Sequence, residues 1–358
     1  MFGVLLMSYI SLNEILDAID NLDLQQKQLL LRFLQDELSH GRNPFQSQLS
    51  TLSEIREVRF HEGLTCPYCD DSNHIKRNGT YRGRQRYLHK TCGRTFNDLT
   101  RTPIHRTRYL DKWPQYLQAM LQGKTIRECA EEVEISVPTA FYWRHKILHA
   151  LAQDKPKKLS GIVEADETYV LYSEKGNRHL KRKARRRGGV AKTRGLSREQ
   201  VSILVARDRN KSTLAQVATF GRLNASRVDQ LLGPHLQEGV TICTDTDAAF
   251  RKFASIRNLN HMTIHPDKKR YVVKAVYHIQ NVNAYHERFK NFMRPFRGVA
   301  TKYLSHYVSY HQVVDETKHL AGKEGIKELF HRSLRCPMKT IGKKLPHYCA
   351  LQINQLAS

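Results

Sequence analysis

Leu159-Ser160-Gly161-Ile162-Val163-Glu164-Ala165-Asp166-Glu167-Thr168 is an apolar run that ends in a carboxylate-rich pentapeptide. The run reads as a buried strand over Gly161 to Glu164, which puts Asp166 at its exit. A second run, Thr241-Ile242-Cys243-Thr244-Asp245, ends the same way, with Asp247 a less favoured substitute two residues on. Hard divalent cations take carboxylate oxygens, and phosphate chemistry needs both the attacking and the leaving oxygen held. Two strand-end aspartates converging across a sheet would meet both needs. The plainer alternative is that each Asp caps a turn.

From residue 159 onward the texture alternates between strand and helix. Strands are predicted at Gly161 to Glu164, Val201 to Ala206, about Thr213 to Val217 and Val240 to Thr244, with helices near Ala225 to Leu232 and Ala248 to Ile256. This is a mixed α/β pattern. Between the first two strands lies a basic run, Arg178 to Arg187, followed by Gly188-Gly189. Its position just past Asp166 favours an arm that tracks phosphates through Lys181, Arg182, Lys183, Arg185, Arg186 and Arg187 over a solvated loop.

Further on, Asn283, His286, Glu287 and Lys290 stand at offsets of zero, three, four and seven, so they share one helix face. Val282, Tyr285, Phe289, Phe292 and Met293 form the neighbouring apolar stripe that would seat the helix on the sheet. That face could present a metal ligand and a phosphate-binding lysine together. An ordinary amphipathic helix with a solvated polar face is the alternative.

Cys66-Pro67-Tyr68-Cys69 and His89-Lys90-Thr91-Cys92 are two chelating pairs separated by nineteen residues (70 to 88). This spacing fits the two knuckles of a tetrahedral Zn²⁺ site, with Tyr87 and Phe96 packed around them. So small and polar a region needs the metal to fold. Residues 113 to 151 read as helical. Ala130, a turn at Glu134 to Ser136, and a second helix opening at Pro138 and Thr139 suggest a helix-turn-helix whose second helix offers Thr139, Trp143 and Arg144 to DNA. A plain helical hairpin is the alternative. Residues 9 to 39 carry apolar spacings of three and four, and 41 to 51 read as a linker.

The chain has 358 residues, enough for two or three domains, and a formal net charge of +25 from 59 Lys and Arg against 34 acidic residues. Such an excess favours a polyanionic partner, because neutralising phosphates releases condensed counterions. Seven cysteines in a chain without a signal peptide argue against a disulfide scaffold and for the cytosol. No apolar stretch approaches the roughly 20 residues of a membrane span.

Over about residues 60 to 315 the chain resembles bacterial insertion-sequence transposases of the DDE type that carry an N-terminal zinc ribbon. The resemblance rests on Cys66 to Cys69, Arg84-Gln85-Arg86-Tyr87 leading to Cys92-Gly93-Arg94-Thr95-Phe96-Asn97, Thr139 to His145, Glu164 to Thr168, and Phe296 to Leu304. It implies a multidomain α+β protein in which a zinc ribbon and helix-turn-helix precede a ribonuclease H-like mixed α/β catalytic domain. The boundaries would be a helical segment and linker at 1–55, the ribbon at 56–100, the helix-turn-helix at 101–155, the catalytic domain at 156–320 and a basic tail at 321–358.

It further implies Asp166 and Asp245 as ligands of Mg²⁺ or Mn²⁺ in a bacterial, nucleoid-associated enzyme that cleaves and joins double-stranded DNA, as a homodimer or larger assembly. His89 replaces the third ribbon cysteine. Asn283 or His286 occupies the third acidic position, with Glu287 next to it. A DNA-binding regulator without catalysis, an inactive copy, or a nuclease that cuts without joining would share many of these features.

Overall fold

The computed structural model describes residues 19–28, 30–31, 52–81, 83–154, 158–180, 182–184, 189–265, 269, 271–320, 322–335, 337–338 and 349. The helices expected over 9 to 39 lie mostly outside these residues, as do the 41 to 51 linker and Lys181, Arg185, Arg186 and Arg187.

Helix α1 (Leu52–Arg59) leads into a small antiparallel sheet of β1 (Ile75–Tyr81), β2 (Arg84–His89) and β3 (Thr95–Phe96), in the order β1-β2-β3. Tyr87 and Phe96, with ring centroids 5.4 Å apart, form its core beside Cys66. Three helices follow: α2 (Trp113–Leu121), α3 (Ile126–Glu132) and α4 (Val137–Leu151). Thr125 and Glu128 close a reciprocal capping box at the start of α3. Glu134 turns the chain in the left-handed conformation, φ 53°, and the Ser136 side chain accepts from the Thr139 N–H to start α4.

The second layer holds β4 (Ile162–Leu171), β5 (Gln200–Asp208), β6 (Thr213–Phe220), α5 (Ala225–Leu232), β7 (Thr241–Thr244), α6 (Ala248–Ile256), β8 (Asn260–Thr263), α7 (Gln280–Met293) and α8 (Leu304–Thr317). The sheet order is β6-β5-β4-β7-β8, antiparallel from β6 to β4 and parallel from β4 to β8. On one face Val228, Leu232, Phe250 and Phe253 of α5 and α6 pack on Val163, Ala165, Leu204 and Ala206. On the other, Val282, Tyr285 and Phe289 of α7 and Val308 of α8 cover Val201, Ile203 and Val205. Helices on both faces bury the apolar side chains of both strand faces, and that burial holds the central strands rigid.

Two expectations change. Strand β4 continues to Leu171, so Asp166 lies within it rather than at its exit. Its parallel pairing with β7 stops at Glu164–Cys243, whereas its antiparallel pairing with β5 runs on to Leu171–Gln200. The stretch from Gly322, expected as a basic tail, carries helix α9 (Gly322–Arg335). Ile326, Leu329, Phe330 and Leu334 recur at helical spacing and join the core of Trp113, Tyr116 and Leu148. Lys327 also pairs with Glu54 of α1 at 2.7 Å. No helix among the described residues is long and apolar enough to cross a membrane.

Candidate active site and metal centre

Because Glu164 pairs with Cys243 in the parallel register, Asp166, two residues on in β4, and Asp245, just past the end of β7, follow at matching positions. Asp245 accepts from the Asp247 N–H at 2.9 Å, and Asp247 in turn caps α6 by accepting from the Ala249 N–H at 2.7 Å. Asp247 Oδ1 thus serves the helix start, and its Oδ2 lies 3.8 Å from Arg222 Nη2. Burial, then the neighbouring charges of Glu167 and Asp245, push the Asp166 carboxyl up to about 8. Glu167 is pushed up to about 7 by burial, Asp247 and Asp245. Crowded carboxylates partly shielded from water are stabilised by protons or by a cation.

Helix α7 delivers His286 to this cluster. Its Nδ1 lies 3.8 Å from Asp166 Oδ2, and its Nε2 is buried with no hydrogen-bond partner. Burial, then the charge of Lys290, lowers the imidazole to about 4, so it is neutral at pH 7, the form that binds a metal. Glu287 is exposed and accepts from Asn291 Nδ2 at 3.0 Å along its own helix. Asn283 and Lys290, one turn either side of His286, are exposed. Lys290 lines a cleft of about 710 Å³ together with Arg182, Arg294, Tyr172 and Met293. Arg182 pairs with Glu174 at 3.1 Å, and Lys183 is exposed.

Sequence reasoning passed over Glu164 and Glu167. Glu164 shares the Asp166 face of β4 by strand alternation, and that spacing was the available signal. Glu167 is half-buried, and its charge acts on Asp166, Asp245 and Asp247, which the sequence alone does not reveal.

The two chelating pairs converge. Among the described residues, Cys66, Cys69, His89 and Cys92 form a group whose donor atoms all lie within 4.8 Å of one another. Cys69 Sγ is 3.4 Å and Cys92 Sγ 3.1 Å from His89 Nδ1, and Cys66 Sγ is 3.7 Å from Cys92 Sγ. His89 Nε2 contacts Asp71 Oδ2 at 3.0 Å, so a carboxylate orients the ring and leaves Nδ1 towards the thiols. The hydrogen bond with His89 lowers the Cys92 thiol to about 7, towards the thiolate that binds metal. Three sulfurs and one imidazole nitrogen fit Zn²⁺.

The expected DNA-facing residues of α4 require correction. Trp143 and Arg144 are buried, with Trp143 against Trp113 and Tyr116 at centroid distances of 5.1 and 5.3 Å. Arg144 Nη2 donates to the Lys124 carbonyl at 2.7 Å and to Cys129 Sγ at 3.0 Å. These side chains lock α4 onto α3 and α2. Thr139 is half-buried and bonded to Ser136, while Val137 and Tyr142 are the exposed large apolar groups of α4.

Residues 158–349 match the ISXO2-like transposase domain, and the chain belongs to that family. An uncharacterised protein in the transposable element ISH50 of Halobacterium salinarum is 30% identical over 297 residues, covering 81% of this chain and 98% of that protein. Among solved structures, a pre-cleavage Mos1 transpososome matches 68% of this chain and 79% of that one, at 13% identity and TM-score 0.23. The mariner Mos1 paired-end complex with Mg matches 68% and 78%, at 15% identity and TM-score 0.24. At such superposition these structures add nothing to the assignment, which rests on the family match and the ISH50 relative.

Proposed function

We propose that this chain is a DDE-type DNA transposase that binds the terminal inverted repeats of an insertion sequence and catalyses divalent-metal-dependent strand cleavage and strand transfer. The observation that carries the reading is the half-buried carboxylate cluster around Asp166, facing a neutral His286 whose Nε2 is buried without a partner. Such a cluster is costly unless charge is neutralised, and its oxygens suit a hard cation.

Asp166 and Asp245 would hold Mg²⁺ or Mn²⁺, with His286 in the third position. The bound ions would activate the attacking oxygen and stabilise the leaving one. The protein's own groups do the rest. Lys290 orients the scissile phosphate, and Arg182 and Lys183 hold the strand backbone beside the cleft. A phosphodiester is hydrolysed first, and the freed 3′-hydroxyl then attacks a phosphodiester of target DNA, whose P–O3′ bond breaks and releases a target 3′-hydroxyl, with no covalent enzyme intermediate.

The strand order, with three antiparallel strands followed by two parallel ones, supports a ribonuclease H-like catalytic domain over residues 156–320. Cys66, Cys69, His89 and Cys92 would hold structural Zn²⁺ in a ribbon over 56–100. The ribbon and the α3–α4 pair recognise the element ends, with Val137 and Tyr142 on the DNA side. Two ends are handled together, by a homodimer or larger assembly in the cytoplasm.

The test is incubation of the protein with Mg²⁺ and labelled element ends. Cleaved and joined products are expected. Asp166→Asn must lose both while still binding the ends, and binding without cutting by the wild type would instead favour a regulator.

A further inference from the structure

Glu164 is fully buried, two residues before Asp166 on β4. Its Oε2 accepts from the backbone N–H groups of Asn281 at 2.8 Å and Val282 at 3.1 Å. Its Oε1 accepts from Asn281 Nδ2 at 2.7 Å and Arg209 Nη1 at 2.5 Å, with His278 Nδ1 3.2 Å away. Asn281 and Val282 belong to the first turn of α7, where N–H groups have no partner within the helix. Ile279, at the cap position, supplies no side-chain bond. A carboxylate from another element thus does the capping, where its charge also meets the positive end of the helix dipole.

We propose that Glu164 is a positioning residue of the active site: it fixes the start of α7 on β4 and so sets His286 against Asp166. The proposal rests on the catalytic reading of those two residues. One strand carries both the carboxylate that would bind metal and, two residues earlier on the same face, the carboxylate that anchors the helix bearing the third ligand. Asn281 and His286 are five residues apart on a rigid helix, so a shift at the first turn reaches the imidazole. The body of α7 has separate supports. Val282, Tyr285 and Phe289 lie in the core, and Arg288 Nε pairs with the buried Asp315 at 2.6 Å. Removing the anchor therefore loosens the start of α7 and lets it shift on β4, moving His286, without unfolding the helix.

The test uses full-length Glu164→Gln, with His286→Ala and the double variant. Hydrogen exchange at the amides of 281 to 286 should quicken while the rest of the chain keeps its protection. Cleavage of labelled element ends should slow by about a hundredfold, the order expected for an ångström-scale misplacement, with DNA affinity unchanged. In the His286→Ala background the same substitution should cost nothing further. Unchanged exchange and rate in Glu164→Gln, or a full additional loss in the double variant, would overturn the positioning role. A wild-type protein that does not cut would overturn the catalytic reading, and this inference with it. Should Glu164→Gln fail to fold, Glu164→Asp keeps the charge facing Arg209, draws the carboxylate back by one methylene, and gives the same readings.

Discussion

His286 Nδ1 faces Asp166 Oδ2 across 3.8 Å, while Glu287, next in sequence, turns away to Asn291. One residue is about 100° of helix, so the two side chains cannot both face the sheet. His286→Ala should therefore slow single-turnover cleavage by roughly a hundredfold or more, as expected for a group acting at the reacting atoms. Glu287→Gln should leave the rate within about twofold, the scale of a neutral surface change. The reverse pattern would hand the third position to Glu287.

Burial separates Trp143 from Tyr142. Trp143→Ala should cost about 3–5 kcal/mol of stability, since a buried tryptophan leaves a cavity against Trp113 and Tyr116. Tyr142→Ala, at an exposed position, should change stability by no more than about 0.5 kcal/mol and yet weaken binding to element ends. Denaturant titration and fluorescence anisotropy on the same samples distinguish the two effects.

The four converging ligands predict zinc in the purified protein, read by elemental analysis. Chelation should remove the ion and unfold the small sheet. Asp71→Ala frees His89 Nε2 and should lower zinc affinity by roughly 10–100-fold without removing a ligand. Equal affinity in Asp71→Ala would mean that Asp71 does not orient the ring.

Acid should destabilise the packing of α8 against α4 and α7. Burial, then Arg144 and Lys302, lowers His145 to about 3. Burial lowers His311 to about 4 despite Asp315, and burial with His149 and His145 holds His306 well below its ordinary value. In the unfolded chain all three titrate near 6.5. Below that pH the unfolded state binds more protons, so stability is full above about 6.5 and falls as pH drops towards 4. Each histidine contributes at most about 1.4 kcal/mol per pH unit. Denaturation at a series of pH values should show the slope, and His306→Gln should flatten it.

Much of this was legible in residue spacing. Helices α5 and α6 lie where their patterns predict, and they begin there because Asn224 and Asp247 cap their first turns with their own side chains. The knuckle spacing pointed to the four side chains, Cys66, Cys69, His89 and Cys92, whose donor atoms converge. Other features depend on long-range pairing. The run of β4 past Asp166 is supported only by β5, which no local pattern around the acids reveals. Arg144 reads as a surface cation, yet a carbonyl and a thiol twenty and fifteen residues away receive it in the core. His286 and Glu287 share a helical face in projection, and only the seating of α7 by Tyr285 and Phe289 decides which faces the sheet.

The most direct test of the central claim is a denaturing gel of strand joining by wild type, Asp166→Asn and Asp245→Asn, with labelled element ends and either Mg²⁺, Mn²⁺ or chelator. The account predicts joined product from the wild type only when metal is present, and none from either variant, with all three proteins binding the ends equally. Joined product from Asp166→Asn, or joining by the wild type in chelator, would contradict it.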